Sequence, residues 1–395
     1  MKYDIMLQGF HWRSSSVSGR SWYSIIQENA QRIKDSGFTL VWFPPPSDSL
    51  AYEGYLPRKL NVLDSKYGSQ AELKAAIAAL KPVNAIADIV INHRVGTTGP
   101  ADFTEPDWSR YTITANDEYS GPKSFNLDTG EGYEAARDLD HSNPETQNGI
   151  ISWMNFLKDP NNAGFSGWRY DLVKGYAGWA TELYNKSTEP VLSVGEYFDY
   201  DPQKVVGWID STHPNPAFRS AAFDFPLRNA LYEAVAFKNF HFLEYGGLSA
   251  GLIGFWADKA VTFIENHDTE DVRGGEYAGF FPGRSQMVQG YAYILTHPGI
   301  PCVFWGDIYD SGSFYEDQIR QLIAIRKRYG IHSQSKLYID TAQQGLVYAA
   351  YIQGDNGEVA MKIGPGSWQP SGRKWQPGTD LIISGPDYAV WGENG

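Results

Sequence analysis

Three short apolar segments of this chain each lead directly into an acidic residue. The runs Gly-Trp-Arg-Tyr-Asp, Val-Leu-Ser-Val-Gly-Glu and Val-Thr-Phe-Ile-Glu-Asn-His-Asp end at Asp171, Glu196 and Asp268. Such runs are typical of buried parallel strands, which have few polar residues because both faces of the sheet are covered. In a parallel (β/α)₈ barrel the carboxyl ends of all strands lie on one face, so the three acids are predicted to surround one site.

Strand-like and helix-like segments alternate along most of the chain. Residues 21–36 have apolar side chains at helical spacing and are followed by Gly37, which predicts one helix over this range. Ser69 and Glu72 form a capping box that predicts the start of another helix. The pattern therefore predicts an α/β fold, a (β/α)₈ TIM barrel, with eight strand-like segments that end at Gly9, Phe43, Ile91, Asp171, Gly195, Phe225, Ile264 and Phe304.

Two stretches depart from this alternation. Residues 94–141 are rich in Gly, Thr, Asp and Pro. A loop of this length is predicted either to have a functional role or to form a small domain of its own. After Gly330, residues 345–352 and 358–363 alternate around a Gly-Asp-Asn-Gly turn, which predicts a hairpin. The predicted domains are therefore a barrel over residues 1–93 and 142–335, an inserted loop domain B after the third strand (94–141), and a C-terminal antiparallel β-sheet domain (336–395).

Charge and composition exclude several classes of protein. The chain has 395 residues, of which 42% are hydrophobic, and this is enough for one large core. Its formal net charge of −13 argues against partners such as nucleic acid or an anionic membrane surface, because both require a basic face. No apolar run approaches the roughly 18 residues of a membrane-spanning helix.

Aromatic and acidic residues together indicate sugar chemistry. Aromatic residues make up 15% of the chain; most are expected in the core, and a minority could stack on sugar rings. Paired carboxylates that flank a sugar bond are what glycoside hydrolysis requires. Arg169 should face the same side of its strand as Asp171 and lower the pKa of that carboxyl. Glu196 should lack such a partner and stay protonated near neutral pH. Taken singly, each acid could instead form a salt bridge or cap a helix.

A fourth segment, Ala-Asp-Ile-Val-Ile-Asn-His-Arg, spans residues 87–94 and adds an Asn, a His and an Arg after a strand. With the segments that end at Asp171, Glu196 and Asp268, in this order, it resembles the four signature regions of the α-amylase family of glycoside hydrolases. The match is closest to the plant-type enzymes. It extends over nearly the whole chain and includes residues 42–47, 53–55, 126–130, 290–301 and 387–391.

The resemblance implies a role for each matching residue. Asp171 matches the nucleophile that forms a covalent glycosyl intermediate, Glu196 matches the general acid and later base, and Asp268 matches the carboxylate that holds the sugar hydroxyls. Arg169 matches the residue that orients the nucleophile and keeps it ionised. The remaining substrate-binding positions implied are two histidines that hydrogen-bond the sugar, a tyrosine that stacks on it, and residues that line the cleft: His93, His267, Tyr55, Lys174, Phe198 and Trp12. For Trp12, packing in the core is almost as good an interpretation.

The long third loop resembles the family's domain B, which holds a structural Ca²⁺ ion. Three side chains match its ligands, namely those of Asn92, Asp128 and Asp138, and the backbone carbonyls of Glu131 and Gly175 match the rest. Calcium prefers six to eight oxygens, and a mixture of carboxylate, amide and carbonyl groups is suitable. Without an ion, Asp128 and Asp138 would be solvated loop acids.

The resemblance implies a retaining, endo-acting α-amylase that is a monomer and cleaves internal α-1,4-glucosidic bonds of starch and related α-glucans. Two alternatives stay open: an enzyme that makes defined malto-oligosaccharides or transfers glycosyl groups with the same three acids, and a catalytically inactive sugar-binding barrel. The N-terminal residues lack the apolar region of a signal peptide, so the compartment is unknown, although a polymeric substrate favours a secreted or periplasmic protein.

Overall fold

The computed structural model describes residues 2–270, 284–372 and 374–393. A closed barrel of eight parallel strands forms its centre, in the order β1-β8-β7-β6-β5-β4-β3-β2. The predicted (β/α)₈ barrel is therefore confirmed. Its strands are β1 (Met6–Gln8), β2 (Leu40–Trp42), β3 (Asn84–Ile89), β4 (Gly167–Tyr170), β5 (Ser193–Gly195), β6 (Ala221–Phe223), β7 (Ala260–Thr262) and β8 (Ile300–Phe304).

Helices connect the strands, and the core lies where their apolar faces pack on the barrel. The described α-helices are α1 (Trp22–Glu28), α2 (Ala30–Ser36), α3 (Gln70–Leu80), α4 (Pro144–Lys158), α5 (Gly178–Thr188), α6 (Pro202–Ser211), α7 (Phe225–Phe237), α8 (Ile253–Trp256), α9 (Arg284–Thr296), α10 (Trp305–Tyr309), α11 (Ser313–Arg328) and α12 (Pro377–Asp380). Short 3-10 turns occupy Trp12–Ser16, Arg110–Thr112, Val173–Gly175, Pro216–Phe218, Phe240–Leu243 and Ala257–Lys259. No helix among the described residues has the length and apolar character needed to cross a membrane.

The first predicted helix is interrupted, so one helix over residues 21–36 was wrong. Asn29 separates α1 from α2, and its side-chain amide donates to the carbonyl of Ile25 at 2.9 Å. A side chain that bonds the preceding turn competes with the regular backbone pattern. The end of α2 was predicted correctly, because Gly37 adopts a left-handed φ of 93° as its cap. The capping box of Ser69 and Glu72 at the start of α3 is also confirmed.

The segment between β3 and α4 has little regular structure, as the sequence predicts. A two-residue ladder pairs His93 with Asp138 and Arg94 with Arg137 and ties its two ends together. The buried guanidinium of Arg94 donates to the backbone carbonyls of Arg58 (3.0 Å), Thr104 (2.6 Å) and Pro106 (3.1 Å). Polar contacts to the backbone therefore help to order this loop, together with a few buried apolar side chains such as Phe103 and Trp108.

The C-terminal residues form the predicted antiparallel sheet. Its strand order is β9-β10-β11-β13-β12, and β10 turns into β11 at Asp355 and Asn356. The strands are β9 (Lys336–Gln343), β10 (Val347–Gly354), β11 (Gly357–Ile363), β12 (Leu381–Gly385) and β13 (Tyr388–Gly392), of which β9 and β12 were not predicted from the sequence. The ring of His297, after α9, contacts the Tyr348 hydroxyl at 2.8 Å, so the sheet is tied to the barrel.

Candidate active site

The three acids from the strand-like segments lie around one cavity at the carboxyl ends of the barrel strands. Asp171 and Glu196 directly follow β4 and β5, whereas Asp268 comes six residues after the end of β7. The cavity has a volume of about 210 Å³. Its walls are formed by Trp12, Tyr55, His93, Tyr133, Asp171, Leu172, Glu196, His267 and Asp268.

Arg169 binds two of these acids and a third carboxylate below them. Its Nη1 lies 2.7 Å from Asp171 Oδ1 and 2.8 Å from Asp88 Oδ1, and its Nη2 lies 2.9 Å from Glu196 Oε1. Asp88 and Arg169 are register partners on β3 and β4, so their side chains project in the same direction. The expectation that Glu196 would lack a cationic partner was therefore wrong, because one buried guanidinium spans both acids.

Burial is the strongest influence on the two acids nearest Arg169. It raises the pKa of Asp171 to about 6, although Arg169 opposes this shift. The pKa of Glu196 rises to about 8 by burial, again against Arg169, with a smaller contribution from Asp171 and Asp268. The expectation that Arg169 would bring the pKa of Asp171 below its ordinary value was wrong, since desolvation outweighs the ion pair. Between these two pKa values Asp171 is ionised and Glu196 is protonated.

Asp268 is more accessible than the other two acids, with 32% of its side chain exposed. The side chain of Asn266 shapes the turn that carries it: Oδ1 accepts the N–H groups of Asp268 at 2.9 Å and of Thr269 at 3.0 Å. One carboxylate oxygen of Asp268 lies 3.4 Å from His267 Nε2. The turn therefore projects this carboxylate into the cavity beside His267.

One wall of the cavity consists of three stacked rings. The rings of Tyr55 and His267 lie 5.3 Å apart at an angle of 16°, and Trp12 lies 6.3 Å from Tyr55 at 4°. The Trp12 backbone N–H donates to the carboxylate of Glu270, which fixes the start of its segment. The structure therefore places Trp12 in the wall of the cleft, where its flat face can contact a sugar ring.

His93 also lines the cavity. Its ring stacks on Tyr133 with 4.1 Å between centroids, Nε2 lies 2.8 Å from the carbonyl of Tyr55, and Nδ1 lies 3.3 Å from Asn92 Nδ2. Burial lowers the pKa of His93 to about 4. Both ring nitrogens thus have protein partners, and the ring is neutral at physiological pH.

Two predicted substrate-binding residues lie outside the ring of residues that lines the cavity. Lys174 contacts the carboxylate of Asp199 at 3.3 Å, and Phe198 packs against Phe225 with 4.4 Å between ring centroids. Leu172, which lines the cavity, has a left-handed backbone (φ 42°), and its N–H donates to Glu196 Oε2 at 3.1 Å. Contact with a sugar by Lys174 and Phe198 stays a prediction that would require a substrate extending past this cavity.

A second group of oxygens lies where the insertion meets the barrel. Asn92 Oδ1 and Asp128 Oδ2 are buried and have no hydrogen-bond partner among the described residues. A Cβ added at Gly175 would lie 1.8 Å from Asn92 Oδ1, so this backbone is pressed against the amide. The Glu131 N–H donates to the carbonyl of Lys174 at 2.9 Å, which brings the predicted carbonyl ligands next to each other.

Asp138 completes this group. Its Oδ1 lies 3.5 Å from Asn92 Nδ2, and burial raises its pKa to about 7, with further increases from Asp128, Asp117 and Glu118. Arg137 pairs with both Asp117 (2.7 Å) and Glu118 (2.5 Å), so one positive charge offsets only one of these two negative charges. Unpartnered amide and carboxylate oxygens with mutual repulsion fit a hard cation, which prefers oxygen ligands. The predicted ligands are therefore suited to holding a metal ion.

Sequence reasoning missed three residues of the site. Asp88 is buried on β3 and accepts from Trp42 Nε1 (3.1 Å) and Tyr55 Oη (2.9 Å) as well as from Arg169. Gln8 contacts His267, and Tyr133 stacks on His93. A single acid or amide inside an apolar strand was the available signal for Asp88 and Gln8, because buried polar groups require partners.

Comparison with known proteins agrees with this geometry. A family model described as the alpha-amylase C-terminal beta-sheet domain matches residues 328–392. The chain is 39% identical to the probable alpha-amylase 2 of Arabidopsis thaliana, over 98% of this chain and 94% of that protein. It is 34% identical to the chloroplastic alpha-amylase 3 of the same plant, over 98% of this chain but only 44% of that longer protein.

Solved structures share the fold at lower identity. A cyclomaltodextrin glucanotransferase with a three-domain ABC distribution superposes with a TM-score of 0.72 and 18% identity, over 99% of both chains. At this identity the likeness concerns the fold alone. The full-length likeness to the plant enzyme is much closer, and by this likeness the chain belongs to the α-amylase family of glycoside hydrolases.

Proposed function

We propose that this chain is a retaining, endo-acting α-amylase that hydrolyses internal α-1,4-glucosidic bonds of starch and related α-glucans. The observation that carries the proposal is the pair of buried carboxyl groups, Asp171 and Glu196, on one guanidinium but with pKa values of about 6 and about 8. Two acids whose environments separate their pKa values are suited to the roles of nucleophile and proton donor.

Each acid has a defined task in the proposed reaction. Asp171 attacks the anomeric carbon and forms a glycosyl ester, while Glu196 protonates the oxygen of the departing chain. Glu196 is then a carboxylate and removes a proton from the water that cleaves the ester. Asp268, the most exposed of the three, holds sugar hydroxyls at the same ring. The active unit we propose is a monomer.

The remaining predicted substrate-binding residues fall into two groups: those that line the cavity and those that lie outside it. The rings of Trp12, Tyr55 and His267 form a flat wall for the sugar whose bond is broken, and His93 also lines the cavity. Lys174 and Phe198, which lie outside the residues that line the cavity, would contact the departing part of the chain. The insertion, residues 94–141, would act as domain B and close this side of the cleft, with the barrel over 1–93 and 142–335 and the C-terminal domain over 336–395.

We also propose that one Ca²⁺ ion joins domain B to the barrel. It would be held by the side chains of Asn92, Asp128 and Asp138 and by the carbonyls of Glu131 and Gly175. The ion would supply positive charge to the buried oxygens of this group and has no part in the bond-breaking step. Support comes from the unpartnered oxygens of Asn92 and Asp128 and from the raised pKa of Asp138.

Removal of calcium should lower the melting temperature. An ion at a hundred times its Kd stabilises the folded state by about 2.7 kcal/mol, which for a chain of 395 residues corresponds to a fall in Tm of about 3 °C in excess chelator. Calorimetry with and without chelator measures this change. Asp138→Asn should reduce the response to chelator, whereas Asp107→Asn, an exposed acid of the same insertion, should retain it. Equal melting curves in calcium and chelator would contradict the proposed site.

The function is tested by products and chain-length dependence. Early products of amylose should be a mixture of oligosaccharides, and NMR should detect the α-anomer first, since two displacements retain configuration. Because remote subsites supply binding energy to the bond-breaking step, kcat/KM should rise steeply from maltotriose to maltoheptaose, with maltose nearly inert.

Other products would identify the alternative functions. One dominant oligosaccharide would indicate a malto-oligosaccharide-forming enzyme, and products longer than the substrate would indicate a transglycosylase. Release of single glucose units with a flat length profile would indicate a blocked, exo-acting pocket and contradict endo action. Binding without any product would indicate an inactive sugar-binding barrel.

A further inference from the structure

A buried glutamine contacts one of the rings that line the cleft. Gln8 is the last residue of β1 and is fully buried, and its Nε2 lies 3.0 Å from Nδ1 of His267. The other ring nitrogen of His267, Nε2, faces the cleft and lies 2.6 Å from the Tyr55 hydroxyl. Gln8 is not among the described residues that line the cavity, so its contact with His267 is a route by which its side chain can act on the site.

The hydrogen bonds that link Asp88, Tyr55 and His267 determine where the His267 ring must carry a proton. The Tyr55 hydroxyl has one proton, and it lies 2.9 Å from Asp88 Oδ2, which also accepts from Trp42. The neighbouring Arg169 favours an ionised Asp88, so Tyr55 donates its proton to that carboxylate. The Tyr55 oxygen must then accept at its 2.6 Å contact, and the proton there belongs to His267 Nε2.

With Nε2 protonated, the charge of the ring depends on Nδ1. If the Gln8 amide donates to Nδ1, the ring is neutral; if the amide is reversed and accepts, Nδ1 must carry a proton and the ring is a cation. His267 is 1% exposed, and its ring stacks on those of both Tyr55 and Trp12. Burial disfavours a charged ring, which favours the donating amide.

We propose that Gln8 is a positioning residue that fixes His267 as the neutral tautomer with its proton on Nε2. The hydrogen bond at one imidazole nitrogen decides which form the other presents. His267 then donates its Nε2 proton to the Tyr55 hydroxyl beside Asp268 Oδ2, and the neutral ring holds this hydroxyl in place in the wall of the cleft. The effect on catalysis rests on the proposed function, whereas the state of the ring can be measured without substrate.

A second proton on His267 would change the electrostatics of the whole cleft. The titratable and charged groups that face the ring or its stacking partners are Tyr55, Asp88, His93, Arg169, Asp171, Glu196, Asp268 and Glu270. An added positive charge beside Asp268 would favour ionised carboxyl groups and make Glu196 a poorer proton donor at neutral pH. A neutral ring avoids this change.

The decisive experiment is ¹⁵N NMR of enzyme labelled in its histidine rings. The chain has eight histidines, and a spectrum of His267→Asn assigns the signals of this one. We expect a protonated Nε2 and an unprotonated Nδ1 at pH 7 in the native protein. Two protonated nitrogens, or a proton on Nδ1 alone, would overturn the proposal, whatever the variants of Gln8 do.

Variants of Gln8 supply the second measurement. Gln8→Met keeps the bulk but removes the donor, so His267 should show mixed ring states and kcat/KM should fall about three- to tenfold. Gln8→Glu supplies an acceptor and should give a doubly protonated ring and an altered alkaline limb of the pH profile. Gln147→Met, which removes an amide donor to the His141 carbonyl, is the control and should leave the His267 signals unchanged. Unchanged His267 signals and pH profile in both Gln8 variants would contradict the proposal.

Discussion

Asp171→Asn and Glu196→Gln are each expected to lower kcat on amylose by at least about a thousandfold while the fold is retained. Asparagine cannot form the glycosyl ester, and glutamine cannot protonate the oxygen of the departing sugar. Both substitutions keep the size of the side chain and a group that can accept from Arg169, at 2.7 Å and 2.9 Å in the native protein. Steady-state kinetics and circular dichroism measure the two parts of this expectation.

The pH dependence distinguishes the two roles. With pKa values of about 6 for Asp171 and about 8 for Glu196, native kcat/KM should rise with pH near 6, as the nucleophile ionises, and fall near 8, as the proton donor ionises. The carboxyls interact, so these two limits describe the pair. In Glu196→Gln the residual activity should lose the alkaline limb, because the amide does not ionise.

A matched control lies at the other end of the barrel. Glu182 on α5 pairs with His213 at 3.7 Å beside the segment that enters β5, so Glu182→Gln removes a carboxylate far from the cleft. It should retain native kcat and both limbs of the profile. If Asp171→Asn or Glu196→Gln kept more than about a tenth of native turnover, the role assigned to that residue would be wrong.

The barrel and the meeting of the acids could be predicted because both depend on local patterns. Buried parallel strands read as continuous apolar runs, and the residue after each run is directed to the same face in any such barrel. Asp171 and Glu196 obey this rule closely, since each follows its strand directly. Asp268 lies farther from its strand, and there the Asn-His-Asp turn supplied the signal.

What could not be predicted depends on burial and on contacts between distant segments. Arg169 was expected to bind Asp171 alone, but the neighbouring strands also bring Asp88 and Glu196 within 2.9 Å of it. The pKa of Asp171 then follows from how much water these groups exclude, which no spacing of residues reveals. The break in the first helix at Asn29 could not be predicted for the same reason. The sequence does not show whether the Asn29 amide bonds the Ile25 carbonyl or faces solvent.

Arg169→Met is expected to have the second large effect, and it should act on stability as well as on activity. Removal of one partner of a buried ion pair costs about 3–5 kcal/mol, because the other charge stays buried without compensation. Here three carboxylates lose one guanidinium, and the side chains of Arg169 and Asp88 are 1% and 0% exposed. Arg169→Lys keeps the charge but not the fork that reaches both acids, so it should lie between Arg169→Met and the native protein.

The loss of stability in Arg169→Met should increase with pH. Burial already raises the pKa values of Asp88 and Asp171 to about 6, above their ordinary values near 4, and without Arg169 both should rise further. A carboxyl with a raised pKa holds its proton more tightly in the folded state than in the unfolded chain. Its contribution to the free energy of unfolding therefore falls as pH rises from about 4 to the raised value.

In the native protein the contribution of Asp88 and Asp171 to the free energy of unfolding stops falling near pH 6. In Arg169→Met it should continue to fall above pH 6. The difference in Tm between the two proteins should consequently be larger at pH 8 than at pH 5, at one fixed concentration of free calcium. Scanning calorimetry across this range measures it, and the acid limb of kcat/KM should move to higher pH in parallel, because the nucleophile must ionise to attack. A constant difference in Tm would mean that the two carboxyls do not depend on Arg169 for their charge.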